Sequence, residues 1–347
     1  MPVIQHLIVD GFGLHVGKHS GRLQVMRIGD GTPSERLVQE APLLHLESVV
    51  VTSQGISMSA DAVQACCLIG IPIYFLDSRG RPYAALYSAG LTGTVLTRRE
   101  QLLAAADRRG LDLAIAFATG KITNQAGFIR YVAKYREEAA PDVYEELRLC
   151  ADEVRDHLNE LDHLEGDRVD QVRFQLLSVE GRAAQKYWDA LKHVIPERYG
   201  WPGRKGRESR DPLNAALNYG YGILYGQIER ALVLAGLDPY GGFIHADRPG
   251  KPSLVFDLIE EFRQVIVDRT VVGMANKGMA LELDDKGRLV EKTRRDIAEK
   301  VLDRLEAAER YEQKRQPLRV IIQSQARHIA TFVRGDRPAY VPFVARW

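Results

Sequence analysis

The chain has 347 residues, which exceeds one ordinary core and indicates two domains at about 100–200 residues per domain. A composition of 45% hydrophobic and 27% charged residues excludes collagen-like and disordered chains. The 47 Lys and Arg residues balance 46 Asp and Glu residues to a formal charge of +1, which excludes a protein that coats nucleic acid through a bulk basic excess, so any polyanion must bind at a local patch.

No apolar run approaches the ~18 residues that cross a bilayer, and the first residues, MPVIQHLIVDGFGLHVGK, lack the pattern of a secretory signal. We therefore expect a cytoplasmic protein with no membrane association. The chain has three cysteines, and Cys66 and Cys67 lie in the apolar stretch DAVQACCLIGIPI. These thiols are predicted to pack as small hydrophobes, not to form disulfides or a zinc site.

The first ninety or so residues have the pattern of strands and turns, because short β-branched runs alternate with Gly, Pro and Asp. The segment IPIYFLDSRGRPYAALY predicts a hairpin with its turn at 78–81. One short helix is predicted near 60–68, with Ser59 as its N-cap and Asp61 in its first turn.

From Thr97 onward the apolar residues recur at helical spacing. The stretch 197–212, ERYGWPGRKGRESRDP, is rich in Gly, Pro and Arg and predicts a loop. A small hairpin is predicted at 281–290, and a helix at 292–313. The chain is thus predicted to be α+β, with a β-rich domain over 1–92 and a larger all-α domain over 97–347.

The glycines Gly11, Gly13 and Gly17 do not form a nucleotide-binding loop. Gly17 and Lys18 are followed by His19 and by alternating strand-like residues, whereas a P-loop needs Ser or Thr and then a helix. Positive φ angles in a hairpin explain these glycines better. Serine and cysteine hydrolases are also excluded, because G-x-S-x-G is absent from the sequence and the cysteines lie in apolar surroundings.

Acidic residues and histidine remain as candidates for chemistry. In SLVFDLIEEFR, Asp257 and Glu260 are spaced i and i+3 and so share one face of a predicted helix. His245 precedes Asp257 by twelve residues, across a Gly/Pro turn that carries Arg248 and Lys251. A loop of this length can place the imidazole against the helix. One His with several carboxylates suits Mg²⁺ or Mn²⁺ better than structural zinc.

A third segment, SVEGRAAQKYW, places Glu180 beside Gly181 in a strong helical pattern, where glycine often indicates close approach. Arg182, Lys186 and Tyr187 follow within two turns. A carboxylate, two cations and an aromatic ring would suit a metal held against a phosphodiester. An amphipathic helix with a salt-bridged flank would have the same sequence.

The acidic pair and the histidine also have ordinary structural explanations. Asp257 and Glu260 could form a solvated helix face paired with Arg263. His245 could be a buried residue whose ring nitrogens bond to the backbone.

Taken in order, these segments are similar to a known family. The matching motifs are SVEGRAAQKYW at 178–188, RDPLNAALNYGY at 210–221, GFIH at 242–245 and SLVFDLIEEFR at 253–263, with weaker matches at GISMSA, IPIYFLD and KITNQ. On these motifs the chain resembles the CRISPR-associated spacer-acquisition integrases (the "Cas one" proteins) over nearly its whole length.

The resemblance implies an N-terminal β-sandwich and a helical catalytic domain. It implies a homodimer that forms a heterohexamer with a small ferredoxin-like CRISPR-associated partner ("Cas two") and acts on double-stranded DNA, both protospacer and CRISPR repeat. It also implies Mg²⁺ or Mn²⁺ held by Glu180, His245 and Glu260. Asp257 completes the expected catalytic set, either contacting a second ion or metal-bound water or orienting His245.

The activity implied is Mg²⁺- or Mn²⁺-dependent DNA strand transfer that inserts spacers, with endonuclease activity from the same site when water is the nucleophile. Basic residues close to the ligands in sequence are predicted to contact phosphates: Arg182, Lys186, Arg248 and Lys251, with Arg204, Lys205 and Arg207 as a second cluster. Two other functions stay open, namely a non-catalytic DNA-binding dimeric scaffold and a metal-dependent hydrolase of small phosphoesters.

Overall fold

The computed structural model describes residues 4–28, 37–77, 79–87, 94–206 and 210–347. Its N-terminal elements are β1 His6–Val9, β2 Leu14–His19, β3 Arg22–Arg27, β4 Leu37–Pro42, β5 Ser48–Val51, β6 Ser57–Met58, α1 Ala60–Leu68, β7 Ile73–Leu76 and β8 Pro82–Leu86. The strands form two four-stranded sheets, ordered β1-β5-β7-β8 and β4-β3-β2-β6. Strands β1, β5 and β7 run parallel, and β8 is antiparallel to β7.

The two sheets share one apolar core. Val49 and Val51 of β5 point into it, together with Val16 of β2 and Leu23 of β3. Val50, between the first two, faces the other way and packs with the helical core. Side chains alternate across a strand, so the first sheet is buried on both faces, against the second sheet and against the helices.

Two of the local predictions for this region are confirmed where the structure describes them, and a third is wrong in part. The Ser59 hydroxyl accepts a hydrogen bond from the backbone N–H of Ala62 at the start of α1. Strands β7 and β8 pair as the predicted hairpin, although Ser78 of its turn lies outside the described residues. Gly11 and Gly13 have positive φ angles, but they join β1 and β2 in different sheets and so are not in a hairpin. Gly17 does lie in a hairpin, paired with Gln24 of β3, but its φ angle is not positive.

Helices dominate the rest of the chain. They are α2 Thr94–Ala104, α3 Arg108–Ala133, α4 Pro141–Asp162, α5 Val169–Lys192, α6 Pro212–Leu234, α7 Ser253–Ile259, α8 Arg269–Asn276, α9 Glu291–Glu306 and α10 Leu318–Val333, with a π-helical turn at Gln264–Asp268. The α+β prediction is confirmed. The division into domains at 1–92 and 97–347 stays a prediction.

Helices α3, α4 and α5 pack against one another, and α6 lies among α7, α9 and α10. The hairpin β7–β8 rests on α6 at a point where two glycines meet. A Cβ on Gly222 would lie 1.3 Å from the carbonyl oxygen of Gly80, so only glycine permits this approach. Among the helices within the described ranges, none combines the length and apolar composition that crossing a membrane requires.

The prediction of helix over 292–313 is wrong at its C-terminal end. Helix α9 ends at Glu306, and the next residues form a two-stranded hairpin, β9 Ala308–Tyr311 with β10 Lys314–Pro317. Glu312 and Gln313 make its turn with positive φ angles, a conformation that hairpins favour and helices exclude. The predicted hairpin at 281–290 is a turn closed by one bridge, Leu283 to Leu289.

Candidate active site

Two of the predicted acidic residues meet at one cation. Glu180 lies on α5, Glu260 follows α7 directly, and Lys121 lies in the middle of α3. The Lys121 ammonium is hydrogen-bonded to Oε1 of Glu180 and lies 2.9 Å from Oε2 of Glu260. All three are buried, with 6%, 3% and 8% of the surfaces of Glu180, Glu260 and Lys121 exposed. Three helical elements thus bring two carboxylates to the same point.

The charges in this cluster stabilise one another against burial. Burial alone would lower the pKa of Lys121, but Glu180 and Glu260 outweigh it and raise that pKa above its ordinary value. Burial alone would raise the pKa of Glu260, but Arg263 and Lys121 outweigh it and lower that pKa. The lysine and Glu260 are therefore charged at neutral pH.

Glu260 has a second cationic neighbour on its own helical turn. Arg263 lies 3.2 Å from Oε1 of Glu260, and its guanidinium stacks over the ring of Tyr221 at 4.8 Å from the centroid. Within the described ranges, Oε2 of Glu260 is buried and has no assigned hydrogen bond, and the ammonium of Lys121 faces it at 2.9 Å.

Asp257 holds the histidine segment in place. Its carboxylate is fully buried and accepts four N–H groups. Oδ1 accepts the backbone N–H of His245 at 3.1 Å and contacts Nδ1 of the same residue at 2.7 Å. Oδ2 accepts the backbone N–H groups of Phe243 and Ile244 at 2.6 and 3.1 Å. These contacts favour the orienting role for Asp257 over direct contact with a metal.

The loop before α7 has the sequence GFIH because each position is constrained. A Cβ on Gly242 would lie 2.5 Å from the Cβ of Ser253 and 2.9 Å from its backbone, so no larger residue fits. Phe243 and Ile244 are fully buried and anchor the loop. His245 is left partly exposed, and it is near enough to Glu260 for its charged form to contribute to lowering the pKa of that carboxyl.

The metal site predicted from sequence is not preassembled. In the part of the chain that the structure describes, no three His, Cys, Asp or Glu side chains form a group that could hold a metal ion. The Lys121 ammonium lies between the two carboxylates instead. The donors nevertheless fit a hard divalent cation, because two buried carboxylates converge and one oxygen lacks a hydrogen bond.

Comparison with known proteins identifies the family. A family model described as CRISPR associated protein Cas1 matches residues 7–332. The chain belongs to the Cas1 family. The CRISPR-associated endonuclease Cas1 1 of Archaeoglobus fulgidus is 37% identical over 352 residues, covering 98% of this chain and 99% of that protein.

Solved structures show the Cas1 fold. A casposase bound to integration product has a TM-score of 0.81 at 22% identity and covers 97% of this chain and 93% of its own. A Cas6-RT-Cas1–Cas2 complex contains a chain with a TM-score of 0.74 at 19% identity, matched over 97% of this chain and 36% of that one.

The four basic residues predicted to contact DNA fall into two pairs in this Cas1 protein. Arg182 and Lys186 extend from α5 towards α4, where they form ion pairs with Glu160 and Glu153. Arg248 and Lys251 instead lie on the turn after His245 and face each other in a β-bridge. The Lys251 ammonium lies over the ring of Phe256 at 5.4 Å.

Arg248 and Lys251 are better placed to bind phosphate than Arg182 and Lys186 are, since no carboxylate in the described ranges forms an ion pair with either of them.

The second basic cluster that was predicted to contact DNA contains a residue with other partners, Arg204. Arg204 bonds to the side chains of Asn214 and Asn218 and stacks over Trp188 and Tyr221. Arg207 lies outside the described residues.

The structure contradicts parts of the ordinary explanations for the acidic pair and the histidine. Asp257 and Glu260 are buried, so they are not a solvated helix face, although Glu260 does form the expected ion pair with Arg263. The His245 ring bonds to Asp257, not to the backbone. Gly181, expected to indicate close approach, has no described atom within 4 Å of an added Cβ.

Lys121 was not among the site residues predicted from the sequence. The sequence does contain a pattern that points to it, since a single lysine interrupts the apolar helical run AIAFATGKITNQAGF. A charge in the middle of a buried helix needs a partner, and such a partner is often part of a site.

The residue after Glu260 fixes a C-terminal segment beside the site. Glu261 is fully buried and accepts hydrogen bonds from the Tyr340 hydroxyl at 2.6 Å, the Gln325 amide at 2.9 Å and the Phe343 backbone N–H at 2.8 Å. Asn124, one turn after Lys121 on α3, donates to the Phe343 carbonyl at 2.9 Å. The C-terminal segment, residues 340–347, thus ties α3 to the turn that carries Glu260.

Proposed function

We propose that this protein is a CRISPR adaptation integrase, which inserts spacer DNA by metal-dependent strand transfer and cleaves DNA from the same site. The observation that carries the proposal is the convergence of Glu180 and Glu260, from two separate helical elements, on one cationic centre. Membership of the Cas1 family and the endonuclease name of the A. fulgidus relative support it.

Glu180, Glu260 and Nε2 of His245 would hold Mg²⁺ or Mn²⁺. When bound, such an ion supplies Lewis-acid stabilisation of phosphate oxygens and a lower pKa for an attacking hydroxyl. The contact between Asp257 and Nδ1 directs the opposite ring nitrogen, Nε2, away from the buried carboxylate. The carboxylates need no large movement, because both already face one point.

The reaction is a transesterification at phosphorus. The 3′-hydroxyl of the incoming DNA loses its proton to solvent and forms a new P–O bond, while the bond from phosphorus to the 3′-oxygen of the target strand breaks and that oxygen takes up a proton from solvent. With water as nucleophile, the same exchange leaves a nick. Arg248 and Lys251, on the turn after His245, would contact the DNA phosphates and neutralise their negative charge beside His245.

We further propose that the protein acts as a homodimer in a heterohexamer with a small ferredoxin-like CRISPR-associated partner, Cas2, on double-stranded DNA. The fold likeness to a chain of a Cas6-RT-Cas1–Cas2 complex supports Cas2 as a partner, and the homodimer and the heterohexamer are part of the proposal. The near-neutral total charge is compatible with DNA binding if the basic residues are concentrated at the site.

The test is DNA strand transfer and cleavage by Glu180→Gln and His245→Ala in Mg²⁺ or Mn²⁺. We expect each variant to lose at least about 100-fold in rate, because even residues that only support metal ligands cost 10–100-fold. His163→Ala is the matched control, since His163 is exposed and, among the residues that the structure describes, its ring hydrogen-bonds only to the backbone carbonyl of Asn159. Full activity in both site variants contradicts the proposal.

The same assay separates the other two functions. A non-catalytic scaffold binds DNA equally in EDTA and leaves both strands intact with any metal. A hydrolase of small phosphoesters turns over nucleotides and shows no salt-dependent DNA affinity.

A further inference from the structure

Lys121 holds a position that the proposed chemistry does not explain. Its ammonium contacts carboxylates from two other elements, Glu180 of α5 and Glu260 after α7. The side chain is 11% exposed and originates from the middle of α3, a helix whose neighbouring residues are largely buried. A lysine in such surroundings is retained at a cost in desolvation, which the two carboxylates offset.

We propose that Lys121 is a resident cation, occupying the position between Glu180 and Glu260 that the divalent ion takes and being displaced when the ion binds. This inference rests on the proposed function, since it assumes that these two carboxylates are metal ligands. Lys121 is a positioning residue in this role, because it acts on the ligands and not on DNA.

The geometry favours displacement over coexistence. The ammonium forms a hydrogen bond with Oε1 of Glu180 and lies 2.9 Å from Oε2 of Glu260, so it contacts one oxygen of each carboxylate. A divalent ion bound to the same oxygens would stand in van der Waals contact with Nζ and repel it. The lysine chain is flexible, so Nζ can leave while α3 stays in place.

A resident cation also explains how the protein folds before it binds metal. Without Lys121, Glu180 and Glu260 would be two buried carboxylates facing each other, with Arg263 as the remaining cation close to Glu260 among the described residues. Such a pair is strongly unfavourable. The lysine would therefore stabilise the folded protein before metal binds and lower the affinity of the two carboxylates for the ion.

The experiment measures metal affinity and stability, not activity. Lys121→Met and the milder Lys121→Gln are titrated with Mn²⁺ by calorimetry, and thermal unfolding is followed in EDTA and in saturating Mn²⁺. We expect both variants to unfold at a lower temperature than wild type in EDTA. In saturating Mn²⁺ this difference in unfolding temperature should become much smaller. Their affinity for Mn²⁺ should rise at least about tenfold, because the ion no longer competes with an ammonium held by two carboxylates.

Lys192→Met is the matched control, since Lys192 ends α5 and pairs on the surface with Asp189 at 2.6 Å. It should change neither measurement. The inference is overturned if the Lys121 variants bind Mn²⁺ no more tightly than wild type, or if Mn²⁺ leaves their loss of stability unrepaired. If either result is found but wild type still binds Mn²⁺ and cleaves DNA, only the inference about Lys121 fails and the proposed function stands. If wild type binds no Mn²⁺, both proposals fail.

Discussion

The carboxylate of Asp257 gives the sharpest test of how the site is built. Asp257→Asn keeps the size of the side chain but replaces one acceptor oxygen with an NH₂ donor. Turned towards Phe243 and Ile244, the NH₂ group leaves two backbone N–H groups without an acceptor. Turned towards His245, it leaves the backbone N–H of that residue without one, while the ring can take the other tautomer and accept from the amide. An unsatisfied buried donor costs about 1–3 kcal/mol, so we expect the free energy of unfolding to fall by about 2–3 kcal/mol.

Guanidinium denaturation measures that loss, and Mn²⁺ titration of the same variant should show weaker binding by about 10–100-fold. Asp238→Asn is the control, because its carboxylate accepts a backbone N–H from Tyr240 at 2.9 Å in a more exposed loop. It should lose no more than about 1.5 kcal/mol. If Asp257→Asn retains wild-type stability and yet abolishes cleavage, Asp257 acts directly on metal or DNA, and the positioning argument is refuted.

Two further predictions concern stability. Phe343→Ala should lower the free energy of unfolding by about 3–5 kcal/mol, since this buried ring stacks on Phe262 at 5.2 Å; a loss below about 1 kcal/mol in denaturant would contradict that packing. Burial raises the pKa of Asp268 from 3.8 to about 6, although the hydroxyls of Tyr187 and Tyr221 donate to it. The native state therefore binds a proton at Asp268 more tightly than the unfolded chain does. Protonated Asp268 stabilises the fold fully below about pH 4, and this stabilisation is lost as the pH rises to about 6. Relative to Asp268→Asn, wild type should lose about 3 kcal/mol over that interval, and parallel stability curves for the two proteins would disprove the shift.

Local signals were sufficient for much of the fold. Ser59 and the residues after it contain a complete N-cap pattern, and the hairpin β7–β8 has its turn residues between two apolar runs. The spacing of His245 from Asp257 also indicated a real contact, because only a short loop separates them. Each of these features is determined by residues close together in the chain.

Features that depend on distant residues could not be predicted in the same way. Lys121 and Glu180 are 59 residues apart, and only the packing of α3 against α5 joins them. Arg182 and Lys186 have the spacing of a phosphate-binding face, yet α4 provides carboxylates for both. The hairpin β9–β10 stands where a helix was predicted, and its Tyr311 packs against Phe343, a residue 32 positions later in the chain.

The C-terminal segment has a consequence for the order in which this protein is made. A nascent chain that has emerged as far as residue 320 contains every residue of the predicted site. It still lacks residues 340–347, so the Asn124 amide and the Glu261 carboxylate would be without the partners that this segment provides. Asn124 and Phe343 are 219 positions apart, and a contact of this span closes late. The turn that carries Glu260 is therefore fixed only after residues 340–347 have been synthesised and have packed against α3.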